Sequence, residues 1–273
     1  MKRCKPLLGT FVEISTQQDN AEKAIDQAFS AIERVQSLMS FHDQQSELST
    51  INRESHIRSI AINPWTSQII RIAQDIQQHS DGLFNCGIGH RLVAAGLLPR
   101  NIDFSNHGFG GIEDLCFIDE NRVRSALPLC LDLGGIAKGF AVDMAVHALM
   151  LNGVISGSVN AGGDMRIFGS KAQAIHIRNP QAPSNVIEIG SLTNGAIATS
   201  GFYFSNGDQM KSHIINPLAS NDSNIEPAFS ESFSIVANEC VYADALTKVL
   251  ILSRQENHPC FKHYQAQAIR IAA

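Results

Sequence analysis

Residues 131–145, LDLGGIAKGFAVDMA, constrain this chain more than any other stretch. Leu129, Leu131 and Leu133 alternate as a strand does, with Asp132 as the one carboxylate among them. The pattern breaks at Gly134 and Gly135 and resumes with helical spacing. Paired glycines let backbone groups approach a ligand closely, and the start of a helix offers free N–H groups and a partial positive charge, a combination that holds phosphates. Lys138 adds a mobile cation at the same place. The same residues also describe a packed strand-to-helix corner with a solvated lysine. Neither GxGxxG nor Walker spacing is present to separate the two readings.

At 273 residues and 44% apolar content the chain can bury a large core, and no repeat or linker divides it. A formal charge of −5 with no basic block argues against a nucleic-acid surface, because nothing displaces counterions from phosphates. The longest apolar runs, such as residues 249–252, are far below the roughly 20 residues of a membrane span. The start, MKRCKPLLGTFVEI, lacks a long apolar segment and a small-residue cleavage site. The chain as written is therefore expected to be cytoplasmic, or periplasmic where a signal peptide has been removed. The six cysteines form no CxxC pair and read as buried thiols, and the ten histidines show no metal spacing, so any metal is expected to be a hard ion held by oxygens.

The pattern predicts a strand over 7–15 interrupted by Gly9, a helix over 20–39 with Ile25, Ala28, Phe29, Ile32, Val35, Leu38 and Met39 as its buried stripe, and a polar segment over 39–52. A helix over 67–79 precedes Gly82 and the glycine-punctuated loop DGLFNCGIGH at 81–90. Short strands follow at 115–119 and 122–126, then a helix over 140–150. Strands are expected at 156–161, 165–168, 174–178, 187–189, 196–204 and 211–217, with a hairpin turn at 205–210 and a polar loop at 218–226. A strand at 233–237, a helix over 241–252 and a strand at 265–271 close the chain. With many strands only a turn apart, the expected fold is α+β, one compact domain over 1–273 with mostly antiparallel sheets and packed helices.

Asp132, Asp164 and Asp244 stand out, each beside a break or helix start among small residues. Thr247 and Lys248 follow Asp244 by three and four positions and share its helix face. Asp and Thr one turn apart can supply two oxygens to Mg²⁺; equally, Asp244 suits a helix start and Thr247 and Lys248 a wet face.

The order of these blocks is more specific than any one of them. LLGTFVEI, MSFHDQQSELSTIN, DGLFNCGIG, LDLGGIAKGFAVD, VNAGGDMRIFG, AIATSG, HIINP and ADALTKV resemble, in the same sequence, the motifs of the ApbE family of FAD:protein FMN transferases, over residues 7–252. The resemblance implies an α+β fold with a central FAD cleft and a Mg²⁺ near the diphosphate. It implies transfer of FMN from FAD to a threonine or serine hydroxyl of an acceptor flavoprotein, with release of AMP. Splitting of FAD into FMN and AMP by water, and binding of FAD without turnover, are the alternatives. By the same resemblance, Asp244, the Gly135 carbonyl and Thr247 hold the metal, and His213, with Asp244, is catalytic, helping to activate the acceptor hydroxyl. Asp132 and Lys138 contact FAD, with Leu8, His42, Leu83, Phe84, Asn85 and Ile214 lining the rest, and residues 160–164 and 199–201 shape the cleft.

Three residues depart from the family pattern. Lys248 stands where many members carry the metal-binding threonine, leaving Thr247 one position early. His42 replaces a commoner tyrosine, and Asn85 a frequent aspartate; a tryptophan often found farther along is missing near Ala94 and Ala95.

Overall fold

The computed structural model describes residues 1–101, 108–182, 184–201, 214–219 and 231–271. Backbone contacts divide the chain into two units, the described residues of Met1–Gln36, Lys138–Gly207 and Pro227–Ala273, and those of Ser37–Ala137 and Asp208–Glu226.

The elements in chain order are strands β1 (Lys2–Leu7) and β2 (Thr10–Thr16), helices α1 (Glu22–Met39) and α2 (Glu47–Glu54), strand β3 (Ile60–Ala61), helices α3 (Pro64–His79) and α4 (Gly89–Ala94), strands β4 (Leu115–Asp119) and β5 (Arg122–Ser125), and helix α5 (Ala137–Leu151). They continue with strands β6 (Gly157–Ala161), β7 (Asp164–Phe168), β8 (Gln173–Arg178), β9 (Val186–Leu192), β10 (Gly195–Gly201) and β11 (Ser232–Ala237), helices α6 (Cys240–Ser253) and α7 (Pro259–His263), and strand β12 (Gln267–Ile271). Helices and antiparallel sheets are thus mixed along the chain, an α+β fold as expected.

The first unit is built on a seven-stranded sheet in the order β1-β2-β6-β7-β10-β11-β12, antiparallel at every pairing. The strand expected over 7–15 is instead the second arm of a hairpin. Leu7 pairs with Thr10, and Leu8 and Gly9 form the turn with φ of 55° and 70°. Positive φ at both central residues matches the twist of the flanking strands, so Gly9 closes a turn and does not interrupt a strand. β6 and β7 are joined the same way by Gly162 and Gly163. α6 packs on β7, β10 and β11 with Ala243, Leu246, Val249 and Leu250 buried. The hairpin β8-β9 adds a satellite core, in which Ile175 and Ile177 meet Ile167 and Ile197. The α1 stripe Ile25, Ala28, Phe29, Ile32, Val35 and Met39 is buried as its period predicts, whereas Leu38, expected with it, is half-buried.

The second unit holds the three-stranded antiparallel sheet β3-β5-β4 and helices α2, α3 and α4. α2 lies inside the expected polar segment: Ser46 caps it by accepting the Ser49 N–H at 3.0 Å, and only Leu48 and Ile51 give it an apolar face. α3 starts three residues before the expected 67, because Asn63 accepts the Trp65 N–H at 3.0 Å and Pro64 fits the first turn. α4 begins at Gly89, within the loop expected at 81–90, and runs on to Ala94.

Two more expectations are corrected. The last strand begins at Gln267, because the short helix α7 and Gln265 at φ 52° precede it. Within 211–217 the described part holds a single bridge at Ile215 followed by a turn; residues 211–213, the end of the strand placed at 196–204, the turn at 205–210 and most of the loop at 218–226 lie outside the described residues. Cys86, Cys130, Cys240 and Cys260 are buried free thiols as expected, whereas Cys4 and Cys116 are free but exposed. Among the described residues no helix is long and apolar enough to cross a membrane.

Candidate functional site

In the first unit, two helices cross at close range. Gly139, in the first turn of α5, has no room for a Cβ: one built there overlaps the Cys240 carbonyl oxygen and comes within 2.8 Å of the Asp244 Cβ. Glu239 precedes α6 without capping it through its side chain. Asp143 of α5 does so instead, accepting the N–H groups of Cys240 at 2.9 Å and Val241 at 2.8 Å while pairing with Arg166 at 2.7 Å. Burial pushes the Asp143 carboxyl up to about 6, against the opposing pull of Arg166 and the two N–H groups.

This crossing presents two buried carboxylates facing two half-buried ammonium groups. Asp244 is 1% exposed; its Oδ2 accepts the Gly139 N–H at 3.0 Å and lies 3.7 Å from the Lys138 ammonium, while its Oδ1 pairs with Lys248. Lys138 also pairs with Asp164, the first residue of β7. The Lys248 ammonium donates in addition to the Asp244 carbonyl at 2.8 Å. Thr247 donates its hydroxyl hydrogen to that same carbonyl at 2.7 Å, which leaves Ser200 Oγ, 3.0 Å away at the end of β10, as donor to Thr247. Burial opposes the charge on Asp244, yet Lys138, Lys248 and the Gly139 N–H hold its carboxyl below the ordinary range. Burial and the Asp244 charge push Asp164 up, against Lys138 and Lys248. Burial alone would draw Lys138 down, but Asp244 and Asp164 outweigh it and raise it above the usual lysine value.

The resemblance implies Mg²⁺ at Asp244, Thr247 and the Gly135 carbonyl. Carboxylate and hydroxyl oxygens are the hard donors that such an ion takes. Here, however, each is already engaged: Asp244 Oδ1 by Lys248, Oδ2 by Gly139, and Thr247 by Ser200 and the Asp244 carbonyl. Two carboxylates face two ammonium groups, so the cluster is neutral as it stands. A dication fits only with Lys248 moved away.

In the second unit, the glycine corner is held from behind. The Asn52 side chain accepts the Leu131 N–H at 2.7 Å and donates to its carbonyl at 2.9 Å, as a neighbouring strand would. Asp132 donates its N–H to the Cys86 carbonyl at 2.8 Å and accepts the Gly134 N–H at 3.2 Å. The Ala137 N–H then closes on the Leu133 carbonyl at 2.8 Å, starting the helix directly after Gly135 and Ile136.

The expected site residues fall as follows. Asp244, Thr247 and Lys138 are brought together in the first unit, where Leu8 sits in the β1-β2 turn with its N–H on Gln36 at 2.8 Å. Asp132, Gly135, His42, Leu83, Phe84, Asn85 and Ile214 belong to the second unit; His42 is exposed, Phe84 buried, and Asp132, Gly135, Leu83, Asn85 and Ile214 half-buried. Asn85 braces its loop: Oδ1 accepts from Gly87 at 2.8 Å and Ile112 at 3.1 Å, and Nδ2 donates to Glu113 at 2.9 Å. An aspartate there would face Glu113 with a like charge, a physical reason for the amide. His213 lies outside the described residues.

Sequence reasoning noted Asp164 but did not pair it with Lys138, and it missed Asp143. The signal for Asp143 was available: it is the one carboxylate in α5, whose buried residues lie on all sides. A lone acid in such a helix needs a partner.

Fold and site define an α+β protein whose helix crossing carries a buried carboxylate-lysine cluster. The ApbE family model matches residues 8–269, and the chain belongs to the ApbE family. A Vibrio cholerae protein named FAD:protein FMN transferase is 27% identical over 243 residues, covering 82% of this chain and 72% of that one. A Chlamydia muridarum protein of the same name is 27% identical over 268 residues, covering 92% and 81%. The crystal structure of the ApbE protein from Thermotoga maritima superposes with a TM-score of 0.81 at 25% identity, covering 100% of this chain and 93% of that one.

Proposed function

We propose that this chain is an FAD:protein FMN transferase. The observation that carries the reading is the family match over residues 8–269, together with relatives of that name matched over most of their own length. In the proposed reaction a threonine or serine hydroxyl of an acceptor flavoprotein attacks the phosphorus on the flavin side of FAD. The new phosphoester bond forms as the bond to the AMP phosphate breaks, the hydroxyl proton passes to a base, and AMP departs. His213 is our candidate for that base, a role suited to an imidazole near neutral pH. Such a transfer asks for positioning and charge stabilisation more than for covalent chemistry from the enzyme. We assign Lys138 and Asp132 to contacts with FAD, Lys138 offering the cation and Asp132 the edge of the glycine corner. Magnesium, which the resemblance implies, has no step in this proposal, because Lys248 already pairs with Asp244.

That pairing favours one second reading, binding of FAD without turnover. Incubation with FAD and a threonine-bearing acceptor, followed by mass spectrometry of acceptor and nucleotides, decides between them. An acceptor heavier by one FMN with equimolar AMP supports transfer. FMN and AMP with an unmodified acceptor indicate hydrolysis, and intact FAD leaves binding alone.

A further inference from the structure

We infer that Lys248 is a built-in cation that takes the place of a divalent ion at Asp244. Three observations in the first unit carry this. The Lys248 ammonium reaches two oxygens of one residue, Asp244 Oδ1 and the Asp244 carbonyl at 2.8 Å, a bidentate hold that four-residue helical spacing makes possible. The Thr247 hydroxyl donates to the Asp244 carbonyl at 2.7 Å and accepts from Ser200 at 3.0 Å, which leaves it a single lone pair to offer an ion. The charges already cancel, buried Asp164 and Asp244 against half-buried Lys138 and Lys248. A dication entering beside Asp244 has to displace a paired, half-buried ammonium, a cost that a small hard ion holding its waters tightly does not recover from one carboxylate. Lysine at position 248 therefore makes Asp244 independent of divalent metal. The consequence for FAD, that it is bound equally well without magnesium, rests on the proposed function; the consequence for the metal does not.

The test is a Mn²⁺ titration of the purified full chain, followed by the electron paramagnetic resonance signal of the free ion, on wild type, Lys248→Thr and Lys248→Thr/Asp244→Asn. Wild type should leave the free-ion signal undepleted. Lys248→Thr should gain one site, at least about tenfold tighter than any residual binding in the wild type, and lose it again in the double variant. Should Lys248→Thr melt early, Lys248→Met keeps the apolar stem without the ammonium and should gain the same site. One Mn²⁺ site in the wild type that Asp244→Asn removes would overturn the inference, as would folded Lys248 variants that bind no more Mn²⁺ than the wild type. Flavin fluorescence with FAD, in EDTA and in Mg²⁺, is recorded in parallel. Equal affinity in both supports the inference, and affinity that needs Mg²⁺ counts against it. Wild type that binds no FAD in either buffer defeats the transferase reading and leaves the Mn²⁺ result to judge Lys248 by itself.

Discussion

Gly139 and Asp244 are locked together across the crossing of α5 and α6: the Gly139 N–H donates to Asp244 Oδ2 at 3.0 Å, and the missing side chain at 139 is what lets the two helices approach. A Cβ there overlaps the Cys240 carbonyl, which is backbone and cannot rotate away. Gly139→Ala should therefore cost about 1–3 kcal/mol, the range for overpacking in a close-packed interior. The shift in the urea midpoint measures it. A variant as stable as the wild type would show that the helices separate freely.

Removing the carboxylate is a different injury from crowding it. Asp244→Ala deletes the carboxylate that pairs with Lys248 and leaves Lys138 to Asp164 alone, so a loss of about 3 kcal/mol is expected, typical of breaking a largely buried pair by deleting one partner. Loss of FMN transfer should accompany it, because Asp244 helps to hold Lys138, the cation assigned to FAD. Asp244→Asn keeps an acceptor for Gly139 and should lose less stability but as much transfer. Unchanged turnover in a folded Asp244→Asn protein would reject Asp244 as part of the reaction machinery.

How much of this was readable beforehand depends on how local each signal is. The α1 stripe from Ile25 to Met39 is legible because seven apolar residues repeat at helical spacing, and the strands Leu115–Asp119 and Arg122–Ser125 because a tight turn separates them. The hairpin at Leu8 and Gly9 was not, since a leucine at φ 55° is a conformation that sequence patterns assign to glycine or asparagine. α2 was hidden by its composition, although Ser46 was the cap that announced it. In the site, the grouping of Asp244, Thr247 and Lys248 follows from helical spacing alone. The pairings Lys138 with Asp164 and Asp143 with Cys240 join residues 26 and 97 positions apart, and only the assembled sheet and helix crossing bring those together.

The hydroxyl pair Thr247 and Ser200 ties α6 to the end of β10 at 3.0 Å. Thr247→Val keeps the shape and removes the hydroxyl, leaving Ser200 without its acceptor, and should cost about 1 kcal/mol. In a double-mutant cycle, Thr247→Val with Ser200→Ala should cost less than the sum of the single changes, because both remove the same bond. Strict additivity of the denaturation midpoints would mean that the two hydroxyls act independently.

The last prediction concerns acid. Glu231, just before β11, receives Arg254, the left-handed residue that ends α6 at φ 57°, and Arg270 of β12, whose Nε lies 3.0 Å from Oε1. Both guanidinium groups also stand over the Phe233 ring, at 4.8 and 5.9 Å from its centre. Burial alone would push the Glu231 carboxyl up, but the hydrogen bonds from Arg270 and Arg254 outweigh it and hold it below the ordinary value of 4.5. In the window below that value the unfolded chain binds the proton more readily than the folded one, so stability rises with pH there. The contribution of Glu231 is therefore complete above the ordinary glutamate range and is lost as pH falls through the depressed folded value. Glu231→Gln should be less stable than the wild type at pH 7, and the gap should narrow as the buffer is taken from neutral into the acid side of that range. Urea midpoints of both proteins across that series measure it; a gap that stays constant or widens on acidification would show that the two arginines do not hold Glu231 charged.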